Sequence, residues 1–149
     1  MYEHILVPTD GSEGTEHAVE HAIDMATTYD AVLHGLFVVD IDGYPDEVSE
    51  GSLIEQLEAS GEDVVDELTE RADAAGVRAV ETAVVTGQTY RAILDYVDAH
   101  DVDLVVMGTH GQRGLEPYAI GGVADKVMRL SDVPVMTVRL AEPVAQSSE

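Results

Sequence analysis

Two periods alternate along this chain. His4-Ile-Leu-Val-Pro8 is a short apolar run closed by the turn signal Thr-Asp-Gly, which predicts a buried strand. Residues 12–29 then set Ala18, Val19, Ala22, Ile23 and Ala26 at helical spacing behind Ser12 as a cap. The β-branched and apolar stretch Ala31–Asp40 predicts a second strand, followed by an acidic solvated loop over 41–51. Ser52-Leu-Ile-Glu55 reads as a capping box opening a helix with Leu57, Val64, Leu68, Ala72 and Ala75 on one stripe, and Gly76 as its stop. A strand follows over Arg78–Thr86, then a helix over Thr89–His100 built on Ile93, Leu94 and Val97, and a buried strand over Asp103–Met107. Gly122–Ser131 predicts a helix with Val123, Val127 and Leu130 inward, and Pro134–Leu140 a last strand. Residues 1–140 form one expected domain, and 141–149 an acidic tail expected to be mobile.

Five strands alternating with four helices imply an α/β fold, an open parallel sheet with helices on both faces. Ligands in such sheets sit beyond the carboxyl ends of the strands, where the strand order reverses. Thr9-Asp10-Gly11 follows the first strand and GTHGQRGLEPYAIGG, residues 108–122, follows the fourth, so both emerge at that edge.

Charge narrows the partners. Thirty Asp and Glu against seven Lys and Arg give a formal net charge of −23, and Lys126 is the sole lysine. Phosphate backbones and anionic membranes need clustered cations, so neither nucleic acid nor a membrane is an expected partner. Repulsion at this density opposes a compact chain in dilute buffer, but in molar salt the Debye length falls to about 3 Å. With 45% hydrophobic residues the chain is no disordered acidic tail. The charge therefore points to a folded protein of a high-salt, halophilic cytoplasm. Cysteine is absent, which excludes disulfides and zinc–thiolate sites. No secretory leader and no apolar stretch of about 20 residues is visible, so a cytoplasmic location is expected.

The segment 108–122 carries glycines at 108, 111, 114, 121 and 122, the last two opening a helix. Glycine costs backbone entropy but lets a ligand reach the main chain, and a helix start offers unpaired N–H groups to phosphate. Residues 108–129 hold Arg113, Lys126 and Arg129 against Glu116 and Asp125, a local balance of +1 in a strongly negative chain. Arg113, in the loop, suits an anionic ligand; Lys126 and Arg129 are expected to complement the C-terminal end of their own helix.

The spacing is neither a P-loop nor the dinucleotide G-x-G-x-x-G. Gly108, Gly111 and Gly121 instead match G-x-x-G, nine residues, then G-Ser/Thr, and the chain resembles the universal stress protein family. HILVPTDGS, LFVVD, VVTGQTYRAI, LVVMGTHGQRG and GGVADKVMRLSDVPVMTVR carry the resemblance in order over nearly its whole length. The resemblance implies a Rossmann-like sheet ordered 3-2-1-4-5, a homodimer joined through the last strand at 134–140, and ATP or another adenine nucleotide such as AMP at the carboxyl edge. In that reading Asp10 holds the ribose or lies beside the adenine, with Pro8 and Thr9 shaping the wall. Val38 and Met107 meet the adenine through main chain, Gly108 and Gly111 line ribose and phosphates, and Gly121, Gly122 and Val123 present helix N–H groups. Mg²⁺ or Mn²⁺ would accompany a triphosphate. The family's Ser or Thr after the last glycine is Gly122 here, which removes a hydroxyl contact of about 1.5–3 kcal/mol and leaves the backbone N–H.

Three motifs are set aside. His17-Ala-Val-Glu20-His21 spells H-x-x-E-H but lacks a third ligand and reads as a solvated helix face. Asp40-Ile-Asp42-Gly43 does not continue as a calcium loop. His110, alone in the glycine loop, reads as a packing or hydrogen-bonding residue. The expected function is nucleotide capture in stress response or regulation, without a catalytic residue. A slow ATPase and a ligand-free dimerisation module are the alternatives.

Overall fold

The computed structural model describes residues 1–40, 52–109 and 122–139. Five strands, β1 (His4–Pro8), β2 (Val32–Val39), β3 (Ala79–Thr86), β4 (Leu104–Gly108) and β5 (Val135–Val138), form one parallel sheet in the order β3-β2-β1-β4-β5. Helices α1 (Glu13–Tyr29), α2 (Ser52–Ala75), α3 (Thr89–Ala99) and α4 (Gly122–Leu130) connect them. Parallel neighbours require crossovers, and helices on both faces explain why the inner strands are apolar on consecutive positions.

Strand alternation divides the core. Ile5, Val7, Leu33, Leu104 and Val106 face α1 and α2, where Ala18, Val19, Ala22, Leu68 and Ala72 cover them. Leu6, Leu36, Val105 and Met107 face α3 and α4, against Ile93, Val97, Ala124 and Val127. The helical stripes differ from expectation at two places. On α2, Val65 is buried while Val64 is only partly so and Ala75 is exposed. On α4, Ala124 and Val127 point inward, and Val123 and Leu130 are exposed, Leu130 at 56%. A nine-residue helix fits its apolar residues to more than one phase, and the small Ala124 is what allows close approach to the sheet.

Three helices end the same way. Gly76, at φ +90°, donates to the Asp73 carbonyl while Val77 donates to that of Ala72, a Schellman ending. Asp30 and Asp101, at φ 56° and 57°, take the equivalent left-handed position, with Ala31 donating to Ala26 and Val102 to Val97. Asp is among the few residues with a side chain that tolerate that region.

A polar cluster lies at the amino end of the sheet. His34 in β2 is 1% exposed, with Nδ1 2.8 Å from the Tyr96 hydroxyl of α3 and Nε2 3.0 Å from Nδ1 of His4 in β1. His100 stacks on Tyr96 with ring centroids 3.7 Å apart. Burial holds the His34 pKa down at about 4; the Glu81 carboxylate, 3.9 Å away, opposes this, and His4 and His100 reinforce it. His34 is thus neutral near pH 7, and Glu81 is a polar neighbour of it rather than an ion-pair partner. Burial, followed by Glu81, pushes the Tyr96 hydroxyl up to about 12. Neither His34 nor Tyr96 stands in a motif or periodic pattern of the sequence.

Candidate nucleotide site

The order β3-β2-β1-β4-β5 reverses direction between β1 and β4, and a parallel sheet opens a crevice beyond the carboxyl ends of those two strands. Pro8 and Thr9 are buried at the end of β1, and Asp10 stands half-buried directly after it. Asp10 Oδ1 accepts the Ser12 N–H at 2.9 Å, an Asx turn, and lies 3.1 Å from the Thr15 hydroxyl. Thr9 Oγ1 is 3.1 Å from that same hydroxyl and accepts the Gly11 N–H at 3.2 Å. Gly11 sits at φ +80°, and a Cβ there would come within 2.9 Å of Val64 Cγ2. The turn is therefore fixed by short side chains and by a glycine that no other residue replaces without strain. Ser12 occupies the N-cap position of α1 as expected, but its hydroxyl makes no cap bond. Asp10 instead takes hold of the Ser12 N–H.

The ladder runs on past the strand ends. Thr9 donates to the Leu36 carbonyl at 2.9 Å, Gly87 to Val39 at 2.9 Å, and Thr109 to Val138 at 3.1 Å. Those bonds hold the exits of β1, β3 and β4 against their neighbours. Val38 is half-buried on β2, Met107 is buried on β4, and Gly108 closes β4 opposite Val138. Gly122 and Val123 begin α4, both exposed. The carboxyl ends of β1, β2 and β4 and the start of α4 thus share one edge of the molecule. Gly111, Arg113 and Gly121 lie outside the described residues, as do His110 and Asp42-Gly43.

A shallow, open hollow of about 200 Å³ lies at this edge, between α3 and α4. Asp40, Thr89 and Tyr90 line one side, and Gly122, Val123 and Lys126 the other. Asp40 Oδ2 accepts the Thr89 N–H at 3.2 Å and its hydroxyl at 2.7 Å, so it ties the end of β2 to the start of α3. The ammonium of Lys126 stands 4.8 Å from the centre of the Tyr90 ring. This corrects the expectation for the two cations of α4. Arg129 does sit in the last turn, bonded to Asp125 at 3.0 Å, but Lys126 lies mid-helix and turns to the cavity. Thr89 and Tyr90 carry no site signal in the sequence, and Asp40 stands there only at the head of an incomplete calcium loop; the packing of α3 beside α4 brings the three together.

The set-aside histidines behave as a helix face. His17 Nδ1 is 3.9 Å from Glu20, His21 Nδ1 is 2.9 Å from the His17 carbonyl, and Arg71 from α2 pairs with Glu16 at 2.6 Å. Among the described residues no three His, Asp or Glu side chains are placed to hold a metal ion, and no helix is long and apolar enough to cross a membrane.

Comparison with known proteins agrees with this architecture. The sequence model of the Universal stress protein family matches residues 1–139. Universal stress protein MJ0531 of Methanocaldococcus jannaschii is 32% identical over 142 residues, covering 93% of this chain and 83% of its own. The structure of universal stress protein UspA from Lactobacillus plantarum superposes with a TM-score of 0.81 at 27% identity, covering 93% of this chain and 98% of that one. A universal stress protein solved in complex with cAMP superposes with a TM-score of 0.73 at 26% identity, covering 94% and 98%. The family match over almost the whole described fold, the relative's identity and the shared 3-2-1-4-5 sheet lead to one conclusion: this chain belongs to the universal stress protein family.

Proposed function

We propose that this protein binds an adenine nucleotide at the carboxyl edge of its sheet and acts as a regulatory or stress-response binding protein. The observation that carries the reading is the fixed Asp10 turn, set beside Gly108 at the point where the strand order reverses. The cAMP complex of a family member supports the adenine class.

In this reading Asp10 holds the ribose, with Pro8 and Thr9 as its wall. Val38 and Met107 offer main-chain groups to the base. Gly108, Gly111, Gly121, Gly122 and Val123 bring main chain to the phosphates, and Arg113 adds charge. Without a hydroxyl at Gly122, ATP, AMP and other adenylates compete on closer terms than a serine would allow. Mg²⁺ or Mn²⁺ would accompany a triphosphate, in keeping with the acidic surroundings. The homodimer through 134–140 belongs to the same reading, because β5 is a sheet edge open to pairing. So does function in a salt-rich cytoplasm, supported by the charge of −23.

Calorimetric titration with ATP in molar KCl tests the reading, with Gly108→Val as the control. Saturable binding by the wild type and none by the variant is the expected result. Equal flat traces would overturn it and leave the ligand-free dimer. Phosphate release above the Gly108→Val control would turn binding into slow hydrolysis.

A further inference from the structure

Seven cations stand among thirty acids, and their placement is informative. Arg71 pairs with Glu16, Arg129 with Asp125, and Arg78 bonds the Asp30 carbonyl. Lys126 takes no carboxylate among the described residues, although its helix neighbour Asp125 is acidic. It rests on the Tyr90 ring at the wall of the 200 Å³ cavity. Arg91 approaches the same ring at 5.6 Å. An exposed cation–π contact is weak and yields readily to a charge-assisted bond with a phosphate oxygen.

We propose that Lys126, held ready by Tyr90, forms a polyphosphate subsite in the cavity between α3 and α4, so that this residue sets the preference for nucleotides of higher charge. Resting on the nucleotide reading above, the proposal assigns the charge recognition that the missing hydroxyl at Gly122 leaves open. Lys126 lies one turn along α4 from Gly122, on the same cavity wall, so a phosphate chain carried past the start of the helix meets the ammonium next. Asp40 sets the limit. Its carboxylate shares the cavity, with Oδ2 engaged by Thr89, and subtracts from the attraction. The gain is therefore modest, near tenfold rather than a thousandfold.

The test is titration of the full chain at fixed ionic strength with adenosine, AMP, ATP and inorganic tripolyphosphate, using wild type, Lys126→Gln and Lys126→Arg. Lys126 is exposed, so the variants fold; a thermal melt checks this. Wild-type affinity rises from adenosine to ATP. Lys126→Gln lowers ATP affinity about fivefold to tenfold and leaves adenosine within twofold, and Lys126→Arg restores most of the loss. An unchanged ratio of ATP to adenosine affinity in Lys126→Gln overturns the subsite while the nucleotide reading stands. If wild type binds neither adenosine nor ATP, the nucleotide reading falls; Lys126-dependent binding of tripolyphosphate then still upholds the subsite, and its absence overturns both.

Discussion

The two ends of one sheet bury polar groups for opposite purposes. At the amino end, His4, His34, Tyr96 and His100 pack into each other, and both ring nitrogens of the buried His34 find partners within the cluster. At the carboxyl end, Thr9, Asp10 and Thr15 brace a turn, and Asp40, Thr89, Tyr90 and Lys126 surround a cavity. The first arrangement turns mostly inward; the second lines an open hollow. Polar burial alone therefore does not mark a site. What separates the ends is whether the groups are spent on one another or held open beside exposed backbone.

Breaking the amino end should give the largest stability effect and leave ligand binding alone. His34→Ala removes a fully buried ring and orphans the Tyr96 hydroxyl, which costs about 3–5 kcal/mol in denaturant unfolding; on the proposed nucleotide reading, ATP affinity stays within twofold of wild type. A comparable loss of ATP affinity would show that the two ends are coupled. Acid gives the next largest effect. His34 stays neutral in the fold down to about pH 4, whereas in the unfolded chain it takes a proton near its ordinary 6.5. Its contribution is fully present above pH 6.5 and is lost as pH falls toward 4, by about 3 kcal/mol. Stability curves for wild type and His34→Ala should converge across that window, and curves that stay parallel would refute the assignment. The smallest effects belong to the carboxyl end. Asp10→Ala should cost about 1 kcal/mol through its turn bonds, and Ser12→Ala less than about 0.5 kcal/mol, because that hydroxyl caps nothing. A Ser12→Ala loss as large as that of Asp10→Ala would mean the cap, not the turn, fixes this corner.

Much of the fold was legible in the sequence. Each strand falls within a residue or two of its apolar run, because a sheet covered on both faces needs consecutive apolar positions and the turns on either side break them. The order 3-2-1-4-5 came from family resemblance, since the alternation of elements fixes parallel pairing but not neighbours. The inward face of α4 is less legible, because over nine residues its apolar positions fit more than one phase: Ala124 goes in and Leu130 stays out. His34 escaped notice because an isolated histidine in an apolar strand carries no periodic signal; its partners lie 30 and 62 residues away. Asp10 and Gly108 were legible as strand-end residues. Lys126 was visible as the only lysine, yet its direction depended on where α3 packs, and the sequence does not encode that locally.

The helix endings carry a cost of their own. With aspartate at the left-handed positions 30 and 101, α1 and α3 each place a negative charge at their negative pole, where glycine would have been neutral. Counterions offset that repulsion when they are plentiful. α2 ends on glycine but carries Asp73 in its own last turn, so each of the three bends sets an acid near a negative helix pole, and on dilution all three last turns become places where fraying starts.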